Sequence, residues 1–350
     1  MSNKFTVSVI TTKIPHHSFH SGYEQLIKYL PESTEIKFVK RGHATNWFYR
    51  LIEVGLRFFT ASRWYQWDGV VADIFSAKVL SRKNSIVHYL YGDSAVGLIP
   101  YIHNLLPGKL ILTIHACPSD YKEVIQFPHL LKKIDGLILL GSNQKEYLEA
   151  MQFDSEKMHV IPHGVNLEFF TPMENKLDND DLQVLLVGNW RRNFELYRKV
   201  IETCQAEKII FHVVTQQFNH EHFRGLSNVK LYSAISDQSL KDLYQTTDVL
   251  FMALTDAVAN NVLLEAAACG LPIICEDIGA VKEYFSEEEV LYFEQNAVQQ
   301  AIDILKASNQ NRTLLNLKRD NALIKVKHYS WEQIAKETLL FYDKISSSEN

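Results

Sequence analysis

The sequence predicts an α/β protein built from two Rossmann-like domains, and three observations lead there. Its 350 residues are enough for two domains. Short runs of Val, Ile and Leu alternate with helical patterns almost throughout, as they do in doubly wound parallel sheets. A polar, aperiodic stretch at residues 171–182 interrupts this alternation, which then starts again. The expected organisation is a first domain over 1–170, a linker over 171–182, a second domain over 183–328 and a closing helix over 329–350 that packs on the first domain. Two such halves are expected to hold a ligand between them, at the carboxyl ends of their strands.

In the first half, buried strands are predicted at Phe5–Thr11, Glu35–Val39, Val70–Ala72, Ile86–Tyr91, Lys109–Ile114, Gly136–Leu140 and Met158–Ile161. Helices are predicted over Tyr23–Leu30, Asn46–Ala61 and Asn143–Met151. The second half shows strand patterns at Gln183–Val187, Ile209–Val214, Val229–Tyr232, Val249–Met252 and Pro272–Cys275. Ser330 and Gln333 have the spacing of a capping box and open the closing helix.

Composition narrows the function. Hydrophobic residues make up 46% and charged residues 22%, and the net charge of −5 provides no basic field for nucleic acid. The first residues lack the pattern of a secretory leader, and no apolar run reaches the length of a membrane span, so a cytoplasmic protein is expected. Cys117, Cys204, Cys269 and Cys275 fit neither a zinc nor a redox spacing and are expected as reduced thiols.

The most informative segment is Asp256–Pro272. Polar residues precede an alanine-rich helix from about Asn261 to Cys269, which Gly270 stops. The free amides of such a helix start, at Asn260, Asn261, Val262 and Leu263, suit a diphosphate. Glu265 stands one turn in, where a carboxylate can accept from a ribose diol. The other reading is an ordinary packed helix. Arg191 and Arg192 follow the strand that ends near Gly188 and Asn189, and an arginine fork suits phosphate oxygens. His115 ends a strand of the first half and is read either as a cleft residue or as structural. Pro15–Gly22 holds three histidines without a defensible zinc spacing, so it is expected to be a sugar- or acceptor-facing loop, and no metal site is predicted.

The Asp256–Pro272 segment resembles the donor-site motif of glycosyltransferase family 4. In that motif two glutamates stand eight apart in a loop and helix ending in Ala-Cys-Gly-Leu-Pro. The resemblance extends to Asp277–Ala280, Glu283, His163–Asn166, Val187–Asn189, the stretch Tyr232–Asp248 that includes Ile235, and Tyr329–Glu332. In the first half it is limited to the architecture and to Gly22, Tyr23 and His115. It implies the GT-B fold, with the closing helix crossing back to the first domain. It also implies transfer of a sugar from a nucleotide diphosphate with retention of configuration, no metal and no further cofactor. The expected partners are a nucleotide sugar and a glycan or lipid-linked acceptor, within cell-surface polysaccharide or glycoconjugate synthesis.

By the resemblance, Glu265 matches the ribose-binding glutamate and His115 a donor-sugar histidine. Gly22, Gly188, Asn189, Ile235 and Asn260–Leu263 line the donor, and Arg191 and Arg192 face the diphosphate. The first motif glutamate falls on Ala257, so Asp256 is the candidate for its role. That departure keeps a second reading open, a non-catalytic GT-B subunit that binds a nucleotide sugar or a partner enzyme. A GT-B epimerase is a third.

Residues 40–67 interleave Lys40, Arg41, Arg50, Arg57 and Arg63 with eight aromatic residues, including three of the five tryptophans. This pattern fits peripheral contact with the inner face of a membrane. It also fits a core helix with solvated arginines.

Overall fold

The computed structural model describes residues 5–12, 19–40, 42–174 and 179–347. The chain forms two compact units. One comprises residues 1–17, 22–163 and 331–350, and the other residues 18–21 and 164–330. The division after His163 falls seven residues before the boundary at 170 expected from the sequence, and residues 18–21 group with the second unit.

The sheet of the first unit contains β1 (Thr6–Thr11), β2 (Glu35–Phe38), β3 (Ser85–Tyr89), β4 (Lys109–Ile114), β5 (Gly136–Leu139) and β6 (Met158–Val160). All pair in parallel, in the order β2-β1-β3-β4-β5-β6. Every residue of β3 and β5 is buried, which accounts for their unbroken apolar character. Val70–Ala72, expected as a strand, lies inside α2 (Trp67–Leu80), after α1 (Trp47–Leu56). Three apolar residues fit either element, and here the helix supplies Asp73 to a buried network. Tyr65 Oη donates to Asp73 Oδ2 at 2.9 Å, and the Leu98 N–H donates to the same oxygen at 2.7 Å.

The α1 segment is not a core helix. Glu53 is its one buried residue, accepting from His43 Nδ1 and from the Ala44 N–H at 2.9 Å. The helix turns its apolar side outward, with Trp47 at 73% exposure and Leu51 at 61%, and Phe58 just beyond its end at 69%. Residues 142–150 form α3 (Ser142–Ala150).

The second unit repeats the plan with β7 (Leu182–Val187), β8 (Ile209–Val214), β9 (Val229–Tyr232), β10 (Val249–Met252), β11 (Ile273–Glu276) and β12 (Leu291–Phe293). These are parallel in the order β12-β11-β10-β7-β8-β9. Successive side chains feed opposite faces. Leu185, Val187, Leu250 and Met252 join one apolar cluster, while Val184, Leu186, Val249 and Phe251 join the other. The helices that matter below are α4 (Phe194–Thr203), α5 (Asp237–Thr246) and α6 (Asn261–Ala268).

The last helix, α7 (Trp331–Ser347), belongs to the first unit. Its buried Tyr342 hydroxyl lies 2.6 Å from His88 Nδ1, and His88 Nε2 lies 2.8 Å from Thr113 Oγ1. Phe341 closes over Gly136, where an added Cβ would approach the ring to 2.9 Å. Burial holds the His88 imidazole neutral, its pKa lowered to about 3. Among the described residues, no helix is long and apolar enough to cross a membrane.

Candidate functional site

In the second unit the donor motif forms a loop after β10 that runs into α6. Asn260 caps the helix, its Oδ1 accepting the Val262 N–H at 3.1 Å. The Leu263 N–H donates to the Asn260 carbonyl at 3.1 Å. Two of the first-turn amides offered to a diphosphate by the sequence are therefore engaged by Asn260 itself. An anion at this helix start competes with the cap or uses the amides before Val262.

The loop is held from below. Glu276, fully buried, accepts the Leu254 N–H at 2.8 Å and the Asn296 N–H at 2.7 Å, and burial raises its pKa. The Ala280 N–H donates to the Ala257 carbonyl, and Gly279 passes so close that a Cβ there would meet that oxygen at 2.1 Å. Ala257 is buried, and the half-buried Asp256 accepts the Ala257 N–H at 2.8 Å through Oδ1.

Glu265 points into the unit at 5% exposure. Tyr244 of α5 donates its hydroxyl to Oε2 at 2.9 Å, and Ser21 donates its hydroxyl to Oε1. Burial pushes the Glu265 carboxyl up to about 7, against the opposing pull of the two hydroxyls, and Asp237 adds to the rise. Tyr244 and Ser21 were not found from the sequence. They lie 21 and 244 residues from Glu265, and no periodicity reports such contacts.

Arg192 is folded under Gly188. Its Nε donates to the Val187 carbonyl at 2.8 Å and its Nη1 to the Trp190 carbonyl at 2.9 Å. Among the described residues no carboxylate pairs with it. Gly188 has φ of +117°, and a Cβ there would lie 2.4 Å from Arg192 Nη2. Burial pulls the Arg192 pKa below its ordinary value. Arg191 takes a left-handed φ of +55°, lies over the Trp190 ring at 5.9 Å, and accepts the Thr255 N–H through its carbonyl. Asn189 Oδ1 accepts from Thr215 Oγ1 at 2.9 Å and from the Gln216 N–H at 2.6 Å, joining the ends of β7 and β8. Ile235 is half-buried next to Ser236, which caps α5.

In the first unit, His115 follows β4 and stacks on Tyr91, with ring centroids 4.8 Å apart. Its Nε2 lies 2.7 Å from the Leu90 carbonyl, which can only accept, so Nε2 carries a hydrogen. In the neutral ring, Nδ1 is then the atom able to accept from a ligand. The buried Asp93 accepts the amides of His115 and Ala116 at 3.0 and 2.7 Å, a support the sequence did not reveal. Gly22, with φ of +100°, precedes the short helix Tyr23–Tyr29. His163 packs at the edges of Tyr23 and Trp331. Residues 15–18 of the histidine loop and Arg41 lie outside the described residues. Among the described residues, no group of three His, Cys, Asp or Glu could hold a metal ion.

Residues 176–308 match the family described as glycosyl transferases group 1. The chain is 24% identical over 246 residues to the phosphatidylinositol N-acetylglucosaminyltransferase GPI3 subunit of Saccharomyces cerevisiae, covering 63% of this chain and 53% of that protein. It thus spans about half the length of such curated relatives. In fold, a glycosyltransferase from Rickettsia africae superposes with a TM-score of 0.72 at 13% identity, covering 99% of this chain and all of the other. An Anabaena protein, Alr3699/HepE, solved with UDP and glucose, gives 0.69 at 11% identity over 98% of this chain and all of the other.

Proposed function

We propose that this chain, which has the GT-B fold and matches the family of glycosyl transferases group 1 over residues 176–308, moves a sugar from a nucleoside diphosphate to a hydroxyl of a lipid or lipid-linked acceptor. In this reading the second unit binds the donor. The carrying observation is Glu265, a buried carboxylate one turn inside a capped helix start. The ribose diol donates to Glu265 and the diphosphate lies near Asn260–Leu263. Arg192, a cation with no carboxylate partner among the described residues, offsets charge as the sugar–phosphate bond breaks. That electrostatic work supports a reaction without a divalent metal. Retention of configuration, with the acceptor oxygen bonding to the face the diphosphate leaves, is part of the same proposal. His115 is assigned to a sugar hydroxyl through Nδ1, and Asp256 to sugar recognition in place of the missing motif glutamate at Ala257.

The acceptor side rests on α1. Exposed Trp47, Phe48, Leu51, Phe58 and Phe59 stand among Arg50, Arg57 and Arg63, a composition suited to an anionic lipid surface. The yeast relative's name includes a phosphatidylinositol acceptor, which agrees with this assignment. The protein then works at the cytoplasmic face of a membrane, and glycoconjugate or polysaccharide synthesis is the process proposed for it.

A second reading, a nucleotide-sugar-binding subunit without turnover, is favoured by Ala257 and by the subunit status in the relative's name. Titration with UDP and other nucleoside diphosphates, followed by turnover assays with lipid extracts, separates the two. Catalysis predicts tight nucleotide binding and acceptor-dependent release of the diphosphate. Binding without release in any extract supports the subunit reading, and a folded protein that binds no nucleotide diphosphate overturns both.

A further inference from the structure

The segment Phe19–Ser21 lies against the second unit at three points. The Phe19 N–H donates to Asp237 Oδ2 at 2.7 Å, at the start of α5. The His20 ring stacks flat on Phe169, with centroids 3.6 Å apart and planes 1° apart, and its Nδ1 lies 3.3 Å from Asn166 Nδ2. Ser21 Oγ donates to Glu265 Oε1. Asn166 is itself fixed, its Oδ1 accepting the amides of Glu168 and Phe169 at 3.1 Å each. Lys241 lies over the other partner ring, Phe169, at 5.2 Å.

We propose that Phe19–Ser21 is a strap over the donor carboxylate: Ser21 and the ribose diol of a nucleoside diphosphate compete for Glu265, so donor binding requires the segment to leave. This rests on the donor-site reading given above. Glu265 is 5% exposed, and a diol cannot reach both of its oxygens while both are covered. Of the two covering hydroxyls, Tyr244 is the fixed one, because its ring is fully buried on a ten-residue helix. Ser21 sits on a three-residue segment outside any helix or strand, whose Phe19 side chain is 65% exposed. The strap runs directly into Gly22, whose φ of +100° favours glycine at the point where the chain turns away.

The test uses the full chain and UDP as the probe, by titration calorimetry. Ser21→Ala removes the competing donor and is expected to tighten UDP about tenfold, the size of a lost hydrogen bond to a charged group. His20→Ala loosens the strap without touching Glu265 and is expected to tighten UDP a fewfold. Saturating UDP is expected to speed hydrogen exchange at the Phe19 amide. Unchanged or weaker UDP binding in Ser21→Ala, or slower exchange at Phe19, overturns the strap. Glu265→Gln separates the two ideas. If it weakens UDP while Ser21→Ala does not tighten it, only the strap fails. If it leaves UDP affinity unchanged, the donor-site reading fails first.

Discussion

Tyr244 donates its hydroxyl hydrogen to Glu265 across 2.9 Å inside the second unit, where Tyr244 is fully buried and Glu265 is 5% exposed. Burial outweighs this hydrogen bond and that of Ser21, so the carboxyl holds its proton to a pH of about 7 instead of its ordinary 4.5. The folded protein therefore binds more protons at this site than the unfolded chain between those values. That contribution to stability is complete below about 4.5 and is lost as pH rises through 7. Wild type should lose on the order of 2 kcal/mol relative to Glu265→Gln between pH 5 and pH 8, allowing for relaxation of a shift of this size. Paired denaturant titrations across that range check it. Parallel pH profiles for the two proteins would remove the proton from Glu265.

Gly188→Ala forces a Cβ into the Arg192 guanidinium and strains a backbone at φ of +117°. A cost of about 1 to 3 kcal/mol in stability is expected. On the proposed donor-site reading, the catalytic loss should exceed what a stability loss alone produces, because the cation assigned to the diphosphate is displaced. Arg192→Ala, with Gly188 retained, should reproduce the fall in kcat with a smaller effect on melting. If Gly188→Ala melts lower yet turns over normally once folded, Arg192 has no part in the reaction.

His115→Ala should leave UDP affinity within about twofold of wild type and lower kcat roughly ten- to a hundredfold, since an interaction made only in the transition state appears in turnover. Asp93→Asn gives a milder version of the same loss, because Asp93 holds the amides of residues 115 and 116. Full turnover in His115→Ala would leave that ring its stacking on Tyr91 and nothing more.

Liposomes containing anionic lipid should carry the protein upward in flotation at low salt. Arg50→Glu, Arg57→Glu and Arg63→Glu together should abolish this, with about 1 kcal/mol carried by each basic residue near the surface. The same triple variant should keep its activity on a soluble acceptor analogue. Equal flotation of wild type and variant would show that these three arginines do not carry the membrane contact.

The sheets were largely legible because parallel strands buried on both faces leave continuous runs of Val, Ile and Leu, as at Ile209–Val214 and Lys109–Ile114. Two elements escaped for local reasons. Val70–Ala72 is apolar enough for a strand but sits within a fourteen-residue helix, and Leu291–Phe293 is too short to stand out beside Glu289 and Glu294. The orientation of α1 reversed the usual inference. Periodicity marks an apolar side but not its direction, and here the acid Glu53 is turned inward because the Ala44 amide and His43 satisfy it. Within the site, Glu265 and the start of its helix near Asn261 could be read from their own segment, but the capping role of Asn260 could not. Ser21, Tyr244, Asp93 and Glu276 could not, since each acts on residues brought to it only by the fold.

The chain passes between the two units four times, after residues 17, 21, 163 and 330. Any attempt to exchange sugar-nucleotide preference with a relative by transplanting residues 164–330 as one block would leave the recipient's Phe19–Ser21 lying on a foreign Glu265 and Asp237. The smallest interchangeable part is therefore discontinuous, 18–21 together with 164–330. Recombinants that move both pieces should inherit the parent's nucleotide affinity, whereas those that move the long piece alone should bind more weakly or more tightly than either parent.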